Sequence, residues 1–160
     1  MMGILFVCTG NICRSPMAEA VMRKMIDAAG LAAQVRIDSA GTHDYQLGLA
    51  PDPGAVRAAA QRGYEMVDLR ARRFSVADFY EFDLILAMDR GHLDILTRRR
   101  PPETRAEVAL FLDYAPPAAR PPGGEVPDPY GGEAADFEYA LDLIELGARG
   151  LLATIRTSLR

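Results

Sequence analysis

The sequence predicts an α/β fold: a four-stranded parallel sheet with helices on both faces, in a single doubly wound domain over residues 1–160. Three observations support this prediction. Short runs that are apolar throughout, such as residues 4–7, are typical of strands covered on both faces. These runs alternate with segments of helical periodicity, which favours parallel strands joined by crossover helices. A length of 160 residues suits one domain with a full core.

The first half of the chain is predicted to begin with a strand, a tight loop and a helix. Ser15 is a favourable N-cap and Pro16 is favourable at the first helical position, so the helix is expected to start there and to end near Gly30. The other predicted elements of this half are a strand at residues 35–38, a helix at residues 54–62 and a short helix at residues 75–79, capped by Ser75.

The second half is predicted to contain two further strands and two long helices. Asp89 can cap a helix that Pro101 and Pro102 end. Residues 115–132 are dense in proline and glycine and are predicted to form a long irregular loop, a kind of segment that is often functional. The predicted strands are residues 82–87 and 108–112, and the predicted helices run from Asp89 to about Arg99 and over residues 134–157.

Composition narrows the possible functions. The net charge is −4 and the sequence pI is about 5.2, which argues against a general nucleic-acid binder. The 2 cysteines exclude a disulfide-stapled secreted fold, and no apolar run approaches the ~18 residues of a membrane span. The apolar N terminus lacks the basic region of a signal peptide. We therefore expect a cytoplasmic monomer that contacts neither nucleic acid nor membrane.

The segment between the first strand and the first helix carries the candidate chemistry. Backbone amides of such a loop can converge on one anion, and the helix N terminus adds roughly half a positive charge. Arg14 can grip two phosphate oxygens. Cys8 faces the same concavity, where the thiolate is favoured and the Ser15 hydroxyl can donate to it. The segment consists of Cys8, Thr9, Gly10, Asn11, Ile12, Cys13, Arg14 and Ser15, of which Gly10 and Asn11 best tolerate left-handed backbone angles.

A cysteine followed six positions later by an arginine is only moderately specific. The simpler alternative is a buried core cysteine near a surface arginine. The strand, the glycine and the Ser15–Pro16 pair all fall where an anion-binding loop needs them, which favours the catalytic interpretation. The chain has no Gly-x4-Gly-Lys-Ser/Thr motif and no Gly-x-Gly-x-x-Gly motif, so a P-loop nucleotidase and a Rossmann protein are disfavoured.

Four motifs together identify a family. They are Val-Cys-Thr-Gly-Asn-Ile-Cys-Arg-Ser-Pro at residues 7–16, Asp-Ser-Ala-Gly-Thr at residues 38–42, Ala-Met-Asp at residues 87–89 and Asp-Pro-Tyr at residues 128–130. These motifs occur in the order and spacing found in the low-molecular-weight protein tyrosine phosphatases, which the chain resembles over essentially its whole length. The resemblance implies a hydrolase that cleaves phosphotyrosine and aryl phosphate monoesters through a phosphocysteine, with no metal or cofactor.

The resemblance implies a role for each catalytic residue. Cys8 is expected to attack phosphorus while Arg14 and the loop amides hold the equatorial oxygens. Asp128, in the Pro/Gly-rich loop, is expected to protonate the leaving oxygen and later to activate water. The two histidines, His43 and His92, form no metal pattern and are predicted to be surface or local hydrogen-bonding residues.

Supporting residues follow from the same resemblance. Asn11 and Ser39 resemble the polar pair that holds the phosphate-binding loop in shape, although Ser39 could be an ordinary turn serine. Asp89 is predicted to cap its helix and to help position Arg14. Cys13 is either a small buried side chain or the partner of a reversible disulfide with Cys8. Arg72 and Arg73 are expected to be solvated, with a possible bond from one of them to the loop or to Asp89.

Residues at the rim of the phosphate-binding loop are expected to contact the group attached to the phosphate and to determine which substrate binds. Tyr45 and Tyr130 resemble the aromatic walls of a phosphotyrosine slot, although many bacterial relatives have tryptophan in place of Tyr45. Ile12 offers an apolar wall that suits a phenyl ring better than a guanidinium. The phosphoarginine relatives are expected to carry threonine at this position, so Ile12 favours phosphotyrosine.

There are three alternative functions. A phosphoarginine phosphatase would use the same scaffold. An arsenate reductase would pass a disulfide to downstream cysteines, and this chain has none after Cys13. A non-catalytic anion-binding module or redox sensor is disfavoured by the combination of Cys8, Arg14 and Asp128. The expected partners are a phosphotyrosine-containing protein substrate and a tyrosine kinase.

Overall fold

The first strand of the chain lies inside a parallel sheet, and its two neighbouring strands come from later in the chain. The computed structural model describes residues 1–159, in which five α-helices surround one four-stranded sheet. The elements are β1 (Met2–Cys8), α1 (Arg14–Ala28), β2 (Val35–Gly41), α2 (Pro53–Gln61), α3 (Asp78–Glu81), β3 (Leu84–Ala87), α4 (Arg90–Arg99), β4 (Glu107–Leu110) and α5 (Ala134–Ser158). The strand order is β2-β1-β3-β4, and all strand pairs are parallel, so the predicted fold class is confirmed.

The apolar run in β1 divides between two hydrophobic cores. Ile4 and Phe6 belong to a core that α1, α2 and α5 cover, whereas Leu5 and Val7 belong to a smaller core on the opposite face, next to α4. Successive side chains of a strand point to opposite faces, so a strand buried on both faces must be apolar throughout. This explains why β1 reads as a continuous apolar run in the sequence.

Helix α1 begins one residue before the predicted N-cap. Cys13 occupies the N-cap position without a side-chain cap hydrogen bond, and Arg14 is the first helical residue. The prediction that Ser15 caps this helix is therefore wrong, because its hydroxyl contacts the Cys8 thiol instead. Pro16 still falls in the first helical turn, where its missing N–H would have no partner within the helix.

Other element boundaries differ from the predictions for local reasons. Strand β2 continues to Gly41, because it pairs with β1 over the full length of β1, from Met2 opposite Val35 to Cys8 opposite Gly41. Strand β4 ends at Leu110, where Phe111–Tyr114 turn into a 3₁₀ helix. Ser75 does not cap a helix. Its backbone N–H instead donates to the Asp78 carboxylate, and α3 begins only at Asp78.

Helix α5, with 25 residues the longest element, is amphipathic rather than apolar. Its inner face buries Phe137, Leu141 and Ile144, and its outer face presents carboxylates that bond Arg62 at the end of α2. Across residues 1–159, no helix combines the length and the apolar character needed to cross a bilayer.

The sheet topology brings two loops together at one edge. Because β1 lies between β2 and β3, the loops that follow β1 and β3 open beside each other at the carboxyl end of the sheet. Ligands bind at this kind of position in open α/β sheets. Gly41, at the end of β2, lies so close to the first loop that an added Cβ would stand 2.5 Å from the Thr9 carbonyl oxygen. A glycine is therefore required where β2 passes beneath the loop.

Candidate active site

The loop between β1 and α1 forms the floor of a pocket of about 210 Å³. The pocket unites the predicted catalytic residues with most of the predicted binding residues, and it adds Gln46, which the sequence analysis missed. The lining residues are Cys8, Thr9, Gly10, Ile12, Cys13, Arg14, Tyr45, Gln46, Asp128 and Tyr130. Four predicted residues, Asn11, Ser15, Ser39 and Asp89, lie behind this lining. Ser15 bonds Cys8 and Asp89 bonds Arg14, whereas the Asn11 amide bonds Ser15 and Ser39.

Arg14 is buried and fixed by two acceptors. Its Nη1 donates to Oδ2 of Asp89 over 2.8 Å and to the carbonyl oxygen of Val126 over 3.0 Å. Its Nη2 lies 3.7 Å from Oδ2 of Asp128. The guanidinium is thereby held in one orientation, with one edge on the supporting residues and the other toward the pocket.

Asn11 sets the direction of the hydrogen bonds beneath the loop. It has a positive φ of 60°, as expected for a tight anion-binding loop, whereas Gly10 stays outside the left-handed region. Its Oδ1 accepts from the backbone N–H of Arg72 over 3.0 Å. This contact fixes the amide orientation, so Nδ2 donates to both Ser15 Oγ (2.8 Å) and Ser39 Oγ (2.9 Å).

Ser15 can therefore donate its own proton to Cys8. Its oxygen accepts from Asn11, and Sγ of Cys8 lies 2.9 Å away, while the other acceptor, the carbonyl oxygen of Ala40, is at 3.5 Å. A hydrogen bond donated to sulfur favours the thiolate over the thiol. The hydroxyl predicted to cap α1 thus stabilises the candidate nucleophile.

Glu19 ends this hydrogen-bonded network and was missed in the sequence analysis. The Ser39 hydroxyl donates to its Oε1 over 2.6 Å, and Arg23 pairs with its other oxygen. Burial raises the pKa of Glu19, although the Ser39 hydrogen bond and Arg23 act in the opposite direction. The available signal was the position of Glu19, one helical turn after Ser15 and therefore on the same face of α1.

Asp89 performs both predicted tasks. Its Oδ1 accepts from the backbone N–H of His92 and caps α4, while its Oδ2 holds Arg14. Burial alone would raise the pKa of Asp89, but the His92 N–H and the Arg14 guanidinium hold it below its ordinary value. The carboxylate is therefore ionised at neutral pH and available to Arg14.

His92 was predicted to be a surface residue or a local hydrogen-bonding residue, and the structure shows the second, because His92 is buried and its backbone N–H donates to Asp89. Its Nε2 lies 2.8 Å from Oγ1 of Thr9, the residue that follows the nucleophile. Burial lowers the pKa of His92 to about 4. No local sequence signal marks this contact, because its two residues are 83 positions apart.

Arg72 is also more than a solvated side chain. Its guanidinium pairs with Asp38 and Asp78, and its backbone N–H reaches the loop through Asn11. The expected contact of an arginine with the loop therefore exists, but it is made by the main chain. Arg73 stays half exposed and lies 3.8 Å from Asp44.

The two cysteines differ in their surroundings. Both are free and buried. Burial, reinforced by the negative charges of Asp52, Cys8 and Asp128, raises the pKa of Cys13 well above its ordinary value. Cys13 is therefore a neutral thiol, which leaves Cys8, with its donor Ser15, as the better nucleophile.

The rim of the pocket is exposed and carries the aromatic residues. The Tyr45 ring stacks on His43 with centroids 5.0 Å apart. The Asp128 carboxylate accepts from the backbone N–H of Tyr130 through Oδ1, and its Oδ2 is the atom nearest Arg14. Ile12 lines the pocket beside them. A flat apolar group on a bound phosphate would contact these side chains.

Comparison with known sequences agrees with this geometry. A family model described as low molecular weight phosphotyrosine protein phosphatase matches residues 3–160. A Streptomyces coelicolor protein named low molecular weight protein-tyrosine-phosphatase is 46% identical over 156 residues, which cover 96% of this chain and 93% of that protein. The range matched by the family model contains every residue that lines the pocket.

Solved structures give the same result. The crystal structure of a protein tyrosine phosphatase from Entamoeba histolytica matches with a TM-score of 0.92 and 34% identity, covering 100% of both chains. The crystal structure of a Drosophila arginine phosphatase matches with a TM-score of 0.88 and 30% identity, covering 96% of this chain and 98% of that one. The same fold therefore occurs in phosphatases that are named for two different substrates.

Proposed function

The chain belongs to the low molecular weight phosphotyrosine protein phosphatase family, and we propose that it hydrolyses phosphotyrosine and other aryl phosphate monoesters through a phosphocysteine formed on Cys8. One observation carries the residue assignment. Sγ of Cys8 lies on the pocket floor, 2.9 Å from its donor Ser15, in a pocket that Arg14 also lines. A nucleophile, an anion-binding loop and a carboxylic acid thus surround one small space.

In the first step the Cys8 thiolate attacks phosphorus opposite the leaving oxygen. The S–P bond forms as the P–O bond breaks, and the electron pair departs on the phenolic oxygen. Negative charge spreads over the three equatorial oxygens, which Arg14 and the loop amides hold. Asp89 contributes indirectly, because it keeps the guanidinium in place before the substrate arrives.

Asp128 handles the protons of both steps. Its Oδ2, on the pocket side, donates a proton to the departing phenolate, so that a neutral phenol leaves. In the second step the same carboxylate takes a proton from water as the water oxygen attacks phosphorus. The S–P bond breaks, Cys8 returns as a thiolate, and inorganic phosphate is released.

The walls of the pocket support tyrosine as the substrate side chain. The buried Ile12 and the exposed Tyr45 and Tyr130 all line the pocket and offer apolar contacts. Burying a phenyl ring against one branched side chain contributes about 1 kcal/mol. A guanidinium would lose water against Ile12 without gaining a hydrogen-bond partner, at a cost of about 1–3 kcal/mol.

Phosphoarginine is the second candidate substrate. The similarity to the Drosophila arginine phosphatase supports it, since that protein shares the fold over nearly its whole length. The acidic rim residue Asp128 could face a guanidinium. Ile12 is the residue that argues against this candidate, and a direct comparison of the two substrates separates them.

Cellular context is part of the proposal. We place the protein in the cytoplasm as a monomer, with a phosphotyrosine-containing protein as its substrate and a tyrosine kinase as the source of that substrate. A mechanism that uses Cys8 as a free thiolate suits a reducing compartment.

The proposal is tested with phosphotyrosine, phosphoarginine and arsenate on the parent protein and on Cys8→Ser. We expect the parent to prefer phosphotyrosine, and Cys8→Ser to lose on the order of 10⁴-fold or more in kcat, because a serine hydroxyl does not ionise as a thiol does. The variant should still bind inorganic phosphate, which checks that its loop is intact. Turnover by Cys8→Ser at a rate near the parent's would refute the assignment.

A further inference from the structure

The two ends of the phosphate-binding loop are both held by the start of α4. At the C-terminal end of the loop, Arg14 donates to Oδ2 of Asp89 over 2.8 Å. At the N-terminal end, the Thr9 hydroxyl lies 2.8 Å from Nε2 of His92. Asp89 is the N-cap of α4 and His92 lies in its first turn, so one short segment contacts both ends.

His92 also touches the carboxylate that holds Arg14. Its Nδ1 lies 3.1 Å from Oδ1 of Asp89 without forming a regular hydrogen bond, and Nδ1 has no hydrogen-bond partner within residues 1–159. The backbone N–H of His92 donates to the same oxygen over 3.0 Å. Asp89 and His92 therefore form a pair in which each holds one end of the loop.

The position of the imidazole proton follows from these contacts. A neutral imidazole carries one N–H, and a nitrogen lone pair facing a carboxylate oxygen at 3.1 Å would be repelled. The proton therefore belongs on Nδ1. Nε2 is then an acceptor, and the Thr9 hydroxyl must be the donor in the contact between them.

We propose that His92 is a positioning residue of the phosphatase site, which ties Thr9 at the start of the phosphate-binding loop to Asp89, the carboxylate that orients Arg14. This proposal rests on the proposed function, because the contacts of His92 matter only if the loop and Arg14 bind the phosphate group of a substrate. The Thr9 hydroxyl is used for this tie rather than for binding phosphate, so Thr9 contributes only its backbone to the anion site.

The electrostatic surroundings are compatible with a neutral ring. Four charged or titratable groups act on His92: Asp89 and Asp128 raise its pKa, and Arg14 and His43 lower it. Burial, which also lowers the pKa, outweighs the two carboxylates, so the pKa of His92 is about 4 and the ring is uncharged near neutral pH. An uncharged ring can accept a hydrogen bond from the Thr9 hydroxyl at Nε2, whereas a ring protonated at both nitrogens could not.

The kinetic test uses Thr9→Val, His92→Leu and the double variant. Each single change should lower kcat/KM for an aryl phosphate about ten-fold and weaken inhibition by inorganic phosphate, since a lost buried hydrogen bond is of that size. The double variant should be no worse than the poorer single variant, because both changes remove the same contact. Thr97→Val is the matched control: the same substitution on the exposed face of α4 should leave both constants unchanged.

The second test reads the tautomer directly and does not depend on turnover. In ¹⁵N NMR spectra of the parent at neutral pH, His92 should show a protonated Nδ1 and an unprotonated Nε2. The signals are assigned by their loss in His92→Leu, which leaves those of His43. If Thr9→Val alters the Nε2 signal of His92, the hydroxyl contact exists in solution whether or not the protein hydrolyses phosphotyrosine.

The outcomes separate the possibilities. Additive losses in the double variant, an unchanged Thr9→Val protein, or an Nε2-protonated His92 would each overturn the proposal while leaving the Cys8 mechanism intact. An inactive parent would instead contradict the proposed function, and the NMR result would still decide the hydrogen bond. Thermal unfolding of each variant checks that it is folded. Thr9→Val, the smaller change, keeps the test decisive if His92→Leu is unstable.

Discussion

The floor and the rim of the pocket are built in opposite ways. At the floor and directly behind it, Asn11, Arg14 and Ser15 are 2%, 4% and 0% exposed, and each takes part in the hydrogen bonds that fix the loop. On the rim, Tyr45 and Tyr130 are 73% and 58% exposed. A buried network of hydrogen bonds permits one arrangement, whereas exposed side chains can adjust to a ligand.

This difference separates two tasks. The floor recognises the phosphate group, which every substrate shares, and it must hold its donors in place before the substrate binds. The rim contacts the group attached to the phosphate, which differs between substrates. Substitutions on the floor should therefore reduce the rate for all substrates alike, and substitutions on the rim should change the ratio between substrates.

Three variants test this division, and Arg14→Lys should have the largest effect on the rate. A lysine cannot hold Asp89 and Val126 while also presenting two parallel donors to a phosphate. We expect kcat/KM to fall about 10³-fold, by the same factor for phosphotyrosine and for a small aryl phosphate. Steady-state kinetics on both substrates checks this. A loss confined to one substrate would show that the floor does not act as a common phosphate site.

Asp128→Asn should have an intermediate effect that depends on the leaving group. An asparagine cannot supply a proton, so phosphates with basic leaving groups should slow by about 10²-fold and those with acidic leaving groups much less. The measurement is a series of aryl phosphates of increasing leaving-group basicity. Asp94→Asn, on the exposed face of α4, is the matched control. An equal loss across the series would remove Asp128 from the role of general acid.

Ile12→Thr should have the smallest effect on rate and the clearest effect on selectivity. The added hydroxyl gives a guanidinium a hydrogen-bond partner and takes an apolar wall from a phenyl ring. We expect the ratio of phosphotyrosine to phosphoarginine turnover to fall about ten-fold, which corresponds to roughly 1.4 kcal/mol. If the ratio stays constant, or if the parent already prefers phosphoarginine, Ile12 does not determine specificity.

The sequence predicted the fold and all of the pocket lining except Gln46, because the fold follows from local patterns and the lining from the resemblance to a known family. The apolar run of β1, the capping role of Asp89 and the four motifs each lie within a few residues. The boundaries failed where a tertiary contact competed with a local preference. Ser15, a good N-cap by type, instead donates to Cys8, because Asn11 and Cys8 lie on either side of its hydroxyl.

The residues behind the loop could not be predicted from local patterns. His92 reaches Thr9 across 83 positions, and the backbone of Arg72 reaches Asn11 across 61. A histidine in the first turn of a helix looks like a surface residue unless the strand order is known. Only the position of β1 between β2 and β3 places these distant segments around one loop.

The central claim is that the floor forms a covalent bond to phosphorus through Cys8. Rapid acid quenching of the parent during turnover of an aryl phosphate, followed by peptide mass spectrometry, tests it most directly. The account predicts one added phosphoryl group on the peptide that contains Cys8, located on Cys8 itself and absent from Cys8→Ser. A phosphoryl group on Ser15 or Cys13, or rapid turnover with no phosphorylated peptide in the quenched parent, would contradict it.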